Sequence, residues 1–249
     1  MSSKNGRHTA FISGAGKNIG REVALALARQ GMNIVVNGRG DSAACDAVVA
    51  DVKALGADAV ALMGDVGSAA EVKRMADEAL ACFGRVDVLV HNAAIRPSKP
   101  LIEMSDQDWH RVLDTNLNAA FYLARAFAPG MIEGGWGRIV NFTGMNAMHG
   151  YAGRAPVSAS KHGQWGLTKA LAKELGPKGI TVNAISPGPI ATARESEAEA
   201  QHIQSQAARV PLGRLGKPEE IAALCAFLCS DGGGFVNGQM IAANGGAET

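Results

Sequence analysis

Short apolar runs alternate with longer stretches of helical periodicity along most of the chain. Strands buried on both faces are predicted by the apolar runs at 9–13, 33–37, 59–63, 86–90, 138–142 and 180–185, since parallel strands covered by helices lose the polar alternation. Helices are predicted by the periodic stretches at 19–30, 42–55, 69–83, 106–132 and 158–175. This repeated order predicts an α/β fold, a doubly wound parallel β-sheet flanked by helices.

Helix-ending and helix-starting residues lie where this pattern needs them. Glycine, which favours a left-handed helix cap, follows four of the helical stretches, at Gly31, Gly56, Gly84 and Gly176. Ser105 stands before two aspartates and predicts an N-cap. The polar stretch 188–210 predicts a flap or short helices beside a site, although a solvated connection fits it nearly as well.

Length, composition and charge narrow the class of protein. A chain of 249 residues with 47% hydrophobic and 19% charged residues suits one large soluble α/β domain. The net charge is only +1 and its charges are interspersed, which argues against a nucleic-acid partner. The N-terminus lacks the apolar region of a signal peptide, and no apolar run is long enough to span a bilayer. We therefore expect a cytoplasmic protein without a membrane partner.

The cysteines give no sign of a metal or disulfide site. None of the four forms a C-x-x-C pair, and a reducing cytosol keeps them as thiols. Cys225 and Cys229 are one helical turn apart. A metal site would need two further ligands nearby, so we interpret both as small core-facing residues of a helix.

A glycine-rich turn, "SGAGKNIGRE" at residues 13–22, follows the first predicted strand. Gly14, Gly16 and Gly20 allow the backbone to turn tightly and to approach a pyrophosphate. The N-terminus of the helix that starts near Ile19 favours the pyrophosphate charge. Because the turn lies between a strand and a helix, it favours dinucleotide binding and a Rossmann-type sheet over an ordinary tight turn.

Further motifs extend this pattern along the chain: "DV" at 65–66, "HNAA" at 91–94, "TNL" at 115–117, "SASK" at 158–161 and "SPGPIAT" at 186–192. With these motifs in this order, the chain resembles the short-chain dehydrogenase/reductase family from end to end. Within the family it is most similar to 3-oxoacyl-[acyl carrier protein] reductases and related keto-reductases. The resemblance implies a single NAD(P)-binding domain over residues 1–249.

The family's turn usually has a glycine where this chain has Asn18. Asparagine is the residue other than glycine that best tolerates positive φ, so we expect the turn to be retained.

The end of the second strand favours NADP(H) over NAD(H). The position that an acidic residue occupies in NAD-binding sites is Gly38, and Arg39 follows it. Arg39 offers a bidentate partner for a 2′-phosphate, and Lys17 a second positive charge. Two alternatives stay open: Asp41 serves the ribose diol if the loop is longer, or Arg39 and Lys17 are ordinary surface charges.

The resemblance implies roles for the other cofactor residues. Asp65 and Val66 bracket the adenine, and Asn92, Ala93 and Ala94 line the ribose and the neighbouring part of the cofactor. The segment that fixes the nicotinamide ring contains Pro187, Gly188, Ile190 and Thr192. His91 replaces the asparagine common in its motif and is given no role.

The resemblance also implies hydride transfer between the nicotinamide and a small carbonyl or alcohol substrate. In the family a tyrosine exchanges the proton at the substrate oxygen and a serine hydrogen-bonds that oxygen. A lysine holds the nicotinamide ribose, and an asparagine organises a water relay. Lys161 and Asn116 match the last two residues, but Val157 stands at the tyrosine position and Gly144 at the serine position. A general acid contributes about 10²–10⁴ in rate, so an unreplaced loss leaves a very slow reductase.

Three explanations stay open. In the first, the proton donor has moved to Tyr151 or His149 in the loop before the helix, with Thr143 offering a hydroxyl if it turns inward. The alternative for Tyr151 and His149, slightly favoured over catalysis, is that they only line the pocket. In the second, the protein is a catalytically inactive NADP(H)-binding sensor or partner subunit. In the third, the substrate provides the proton itself or does not need one from the protein, and the protein mainly positions the hydride donor and acceptor.

The C-terminal segment "FVNGQMIAANGG" at 235–246 resembles the family's last strand, which often packs across a two-fold axis. We therefore expect a homotetramer, with a dimer as the next choice. The apolar residues of this segment are equally consistent with the core of a single subunit.

Overall fold

The computed structural model describes residues 6–192, 201 and 204–247, and these contain one seven-stranded sheet. Its strands are β1 Thr9–Ser13, β2 Asn33–Gly38, β3 Ala59–Met63, β4 Val88–His91, β5 Gly137–Phe142, β6 Ile180–Pro187 and β7 Met240–Ala243. The sheet order is β3-β2-β1-β4-β5-β6-β7, with every neighbouring pair parallel. The six strands predicted from apolar runs are confirmed, although β4 starts two residues later. The seventh lies in the C-terminal segment that resembles the family's last strand.

Helices cover both faces of this sheet. They are α1 Asn18–Arg29, α2 Ser42–Ala54, α3 Ala69–Phe83, α4 Asp106–Leu113, α5 Ala119–Gly134, α6 Ala155–Leu175 and α7 Pro218–Cys229. The apolar faces of α1, α2 and α7 form one core layer, and those of α3, α5 and α6 form the other. The predicted doubly wound α/β fold is confirmed.

The continuous apolar runs arise because each strand contributes side chains to both core layers. In β1, Ala10 and Ile12 belong to the layer of α1, while Phe11 belongs to the layer of α5. Successive strand side chains point to opposite faces, so a strand covered on both sides needs no polar position. Cys225 and Cys229 are buried in α7, as their spacing predicts.

The predicted caps are confirmed with one exception. Ser105 caps α4, its hydroxyl accepting from the N–H of Asp108. Glycines 31, 56 and 84 have φ angles of 83°, 82° and 82°. Gly176 is wrong as a left-handed cap: its φ is −52°, because a 3₁₀ turn extends α6 and Gly179, with φ 81°, takes that conformation instead.

The helix predicted over 106–132 is interrupted. A π-helical turn, Asp114–Asn118, separates α4 from α5, and Asn116 lies in it. Single π turns inside α-helices are frequent at functional sites. Of the polar stretch 188–210, residues 193–200, 202 and 203 lie outside the described residues, and Gln206–Arg209 forms a 3₁₀ turn.

Candidate active site

A cavity of about 580 Å³ opens at the carboxyl ends of the strands. It lies where the strand order reverses between β1 and β4, the position at which doubly wound sheets bind ligands. Its wall contains all of the predicted cofactor residues except Gly16 and Lys161. One cavity therefore unites residues that are spread over positions 14–192 of the chain.

The glycine-rich turn has the close backbone packing that a phosphate cradle requires. Asn18 adopts a φ of 53°, which confirms that asparagine replaces glycine in a left-handed position. A Cβ added to Gly20 would lie 2.2 Å from the carbonyl oxygen of Gly14. The side-chain amide of Asn92 donates to the carbonyl oxygens of Ser13 and Gly14, at 3.2 and 2.9 Å. The turn is thereby fixed at the N-terminus of α1, which favours bound anions.

Asn18 supplies a direct test of this turn. We expect Asn18→Ala to lower the free energy of unfolding by about 1 kcal/mol, because alanine bears the steric cost of the left-handed region without asparagine's local hydrogen bonding. Asn18→Gly should leave stability unchanged or raise it slightly. Urea unfolding of the three proteins measures the difference, and equal stability of the alanine variant would contradict the strain.

Positive charge borders the adenosine end of the cavity. Lys17 and Arg39 both line it, and the Arg39 guanidinium lies 3.0 Å from the carboxylate of Asp65. A Cβ added to Gly38 would lie 2.4 Å from the sulfur of Cys45, so this position has no room for an acidic side chain unless Cys45 moves.

The alternative assigned to Asp41 stays untested, and the structure gives Asp41 a role in the helix that follows β2. Its carboxylate accepts from the N–H of Ala44 at 3.0 Å and caps α2. It is a helix cap and is not among the residues of the cavity wall.

At the reaction end, the two substituted positions differ in their exposure to the cavity. Val157 is fully buried, at 0% exposure. Gly144 lines the cavity with a φ of 95°, a conformation that side chains rarely adopt, and a Cβ there would meet no described atom within 4 Å. A side chain at position 144 would therefore have space, but it would have to adopt a strained backbone conformation.

Lys161 lies behind the cavity wall and is only 1% exposed. Its ammonium group donates to the carbonyl oxygen of Phe142 at 2.5 Å and to the side-chain oxygen of Gln164 at 3.0 Å. Burial, and then the charge of Arg96, lower the pKa of Lys161 well below its usual range. In this arrangement the group does not reach the wall, and its contact with a nicotinamide ribose stays a prediction.

Asn116 is also buried behind the wall. Its side chain accepts from the N–H of Ile95 at 2.9 Å and donates to the Ile95 carbonyl at 3.0 Å and to the hydroxyl of Ser160 at 3.2 Å. These bonds tie the π turn to the segment after β4 and to α6. Asn116 therefore holds the wall in place, and its part in a water relay stays a prediction.

His91, which received no role from the sequence, lies at the centre of a buried network. Its Nε2 is 3.3 Å from the carbonyl oxygen of Asn116, and its Nδ1 is 3.1 Å from the hydroxyl of Ser13. A carbonyl only accepts, so Nε2 carries the hydrogen and Nδ1 accepts from Ser13. Burial, and then the nearby Lys161, lower the pKa of His91 to about 3, so the ring is neutral.

The structure separates the candidate proton donors. Tyr151 lines the cavity, whereas His149 is exposed outside its wall. Thr143 lines the cavity, but its hydroxyl donates to the carbonyl oxygen of Ile185 at 3.1 Å. Tyr151 therefore remains the candidate proton donor in the cavity wall.

Sequence reasoning missed two arginines of the wall. Arg96 follows β4, and Arg154 precedes α6 directly. Their positions close to Asn92 and Lys161 in the chain were the available signal, but no motif marks them. Within the described ranges, no three histidine, cysteine or acidic side chains form a group that could hold a metal ion. Among the same residues, no helix has the length and apolar character to cross a membrane.

The sheet order, the glycine-rich turn and the cavity at the switch point together define a dinucleotide-binding α/β protein. Residues 14–248 match the family model described as enoyl-(acyl carrier protein) reductase. The chain belongs to the short-chain dehydrogenase/reductase family and is an oxidoreductase similar to the 3-oxoacyl-[acyl carrier protein] reductases.

Three relatives illustrate this similarity. A 3-oxoacyl-[acyl-carrier-protein] reductase from Synechocystis is 41% identical over 238 residues, covering 95% of both chains. Acetoacetyl-CoA reductase from Cupriavidus necator is 37% identical over 95% of this chain and 96% of its own. The crystal structure of a provisionally assigned NAD(P)-dependent gluconate 5-dehydrogenase from Beutenbergia cavernae, with NADP bound at low occupancy, has a TM-score of 0.89, 38% identity and 96% coverage of both chains.

Proposed function

We propose that the protein is an NADP(H)-dependent oxidoreductase that transfers hydride between the nicotinamide and a small carbonyl or alcohol substrate, with Tyr151 as proton donor. One observation carries the proposal: a single cavity wall contains the glycine-rich turn, Arg39 and Tyr151. The NADP-bound neighbour with 38% identity supports the cofactor.

The residues present fit a nicotinamide dinucleotide. The close approach of Gly20 to Gly14 leaves no space for a side chain on the turn, so its backbone is open to a pyrophosphate. Arg39 and Lys17 would hold the 2′-phosphate. Pro187, Gly188, Ile190 and Thr192 line the other end and would hold the nicotinamide. When bound, the reduced cofactor supplies a hydride from C4 of its ring.

The side chains of the protein have to donate a proton to the substrate oxygen. As a carbonyl carbon gains hydride, its oxygen takes the bond's electron pair and needs one proton. The Tyr151 hydroxyl is the donor in our proposal, and its 39% exposure lets solvent return the proton to it. The balance is one ketone, one hydride and one proton for each alcohol formed.

The test measures NADPH binding and NADPH oxidation separately. Fluorescence titration gives the dissociation constant, and absorbance with a panel of ketones and quinones gives turnover. Binding with turnover supports the proposal. Binding without turnover on any member of the panel would favour the alternative of an inactive binding protein, and absence of binding at millimolar concentration would overturn both.

Arg39 provides the test of cofactor choice. Removing a charge-assisted phosphate contact costs about 1.5–3 kcal/mol, so we expect Arg39→Ala to raise the dissociation constant of NADPH by roughly 10- to 100-fold. NADH serves as the matched control, because it lacks the 2′-phosphate and should bind both proteins alike. Equal weakening of the two cofactors would show that Arg39 acts on the shape of the site rather than on the phosphate.

The homotetramer and the cytoplasmic location remain proposals. The sheet ends at β7, and Phe235, just before this strand, is fully exposed. An exposed aromatic residue beside an edge strand is consistent with packing across a two-fold axis.

A further inference from the structure

Arg96 and Arg154 lie at the same end of the cavity. The two loops that carry them are joined, because the N–H of Lys99 donates to the carbonyl oxygen of Gly153 at 2.8 Å. These loops follow β4 and β5, whereas the adenosine end of the cavity lies at β2 and β3, across the switch point. The two arginines therefore belong to the reaction end, whose wall also contains Tyr151 and Gly144.

Among the described residues, Arg96 and Arg154 are the charged side chains of the wall at this end. Among the described residues of the wall, Asp65 is the only one with a carboxylate, and it lies at the adenosine end in an ion pair with Arg39. Within the described part of the chain, Arg154 forms no ion pair. The charge of Arg96 contributes to the lowered pKa of the buried Lys161. An anion that binds at this end would give the charge of Arg154 a partner.

We propose that the substrate carries a carboxylate that binds Arg96 and Arg154, so that the protein acts on a small oxo acid or the matching hydroxy acid rather than on a neutral ketone or alcohol. The planar guanidinium fork matches the two oxygens of a carboxylate. Open space at Gly144 leaves room beside the reacting carbonyl. This inference rests on the proposed function and names its substrate class.

The arginines also suit the reaction itself. When the carbonyl carbon gains hydride, its electron pair moves to the oxygen, which then gains a proton. Nearby guanidinium groups stabilise the negative charge on this oxygen as it develops, a role that the missing serine would otherwise share. The carboxylate is chemically unchanged, and its part is to orient the carbonyl.

The test compares an acid with its ester by calorimetry, independently of turnover. The protein, saturated with NADP⁺, is titrated with sodium 4-oxopentanoate, methyl 4-oxopentanoate and dihydroxyacetone phosphate. We expect the acid to bind at least 10-fold more tightly than the ester. Arg96→Gln and Arg154→Gln should each weaken binding of the acid by roughly 10-fold or more and leave the ester unchanged, as charge-assisted bonds imply. Arg125→Gln, on the exposed face of α5, is the matched control.

The outcomes separate this inference from the proposed function. If NADPH binds and neutral ketones are reduced, but the wild-type protein does not prefer the acid to the ester, the substrate class is overturned and the oxidoreductase proposal stands. Binding of the phosphate ester alone would likewise overturn the carboxylate. The wild-type comparison decides the matter even if a variant fails to fold.

Discussion

Tyr151→Phe should lower kcat by roughly 10²–10⁴-fold, the usual contribution of a positioned general acid. Tyr151 is the residue of the cavity wall that carries an aromatic hydroxyl. Val157, at the position of the family's tyrosine, is apolar and buried. Phenylalanine keeps the ring and removes only the hydroxyl. We therefore expect the dissociation constant of NADPH to stay the same, so that the loss appears in kcat at saturating substrate.

His149 supplies the matched control, because it lies two residues away in the same loop but outside the wall. His149→Ala should reduce kcat by less than about threefold. If Tyr151→Phe keeps wild-type kcat, the proton has another source. The leading explanation is then that the substrate needs no proton from a side chain of the protein.

The solvent isotope effect on kcat adds a readout that a packing defect would not change. If proton transfer from Tyr151 limits the rate, kcat of the wild type should be lower in deuterated than in ordinary water, and this isotope effect should change in Tyr151→Phe. A general loosening of the loop would lower kcat without altering the isotope effect.

Much of the fold and of the cofactor site follows from local sequence. Apolar runs such as 9–13 are strands because both faces are covered, and this requirement depends only on neighbouring residues. The glycine-rich turn, including the positive φ of Asn18, was equally predictable, because the conformation of a turn depends on a few adjacent backbone angles.

The reaction end was less predictable because its properties arise between distant segments. Lys161 occupies the expected position in the chain, yet its ammonium group is directed to the carbonyl of Phe142, 19 residues away. The loops that carry Arg96 and Arg154 are joined by the contact of Lys99 with Gly153, which no local pattern predicts. The π turn at Asn116 lies within a stretch that the apolar pattern predicts as a single helix.

His91 shows the same limit and leads to a prediction on stability. Its ring joins the end of β1 to the π turn through Ser13 and Asn116. Ser13 Oγ already accepts from the N–H groups of Asn92 and Ala93, both at 3.1 Å. A second ring proton would have to point at this oxygen, whose two lone pairs are already used. Protonation therefore breaks the network as well as burying a charge.

We expect the free energy of unfolding to fall in acid because of this ring. The pKa of His91 is about 3 in the folded protein, against the ordinary value of 6.5, so between these pH values only the unfolded state gains the proton. The contribution of His91 to stability is fully present above pH 6.5 and is lost as the pH falls, at about 1.4 kcal/mol per pH unit. At pH 4.5 the loss amounts to roughly 2–3 kcal/mol.

His91→Asn isolates this contribution, because asparagine does not titrate while buried acids such as Asp87 remain in both proteins. Urea unfolding at pH 7.5 and 4.5 should show a fall in stability that is roughly 2–3 kcal/mol larger for the wild type than for the variant. His162→Asn, at an exposed position on α6, should behave like the wild type. Parallel pH profiles for wild type and His91→Asn would mean that the ring takes up its proton in the folded state, and that the network through Ser13 and Asn116 opens without cost.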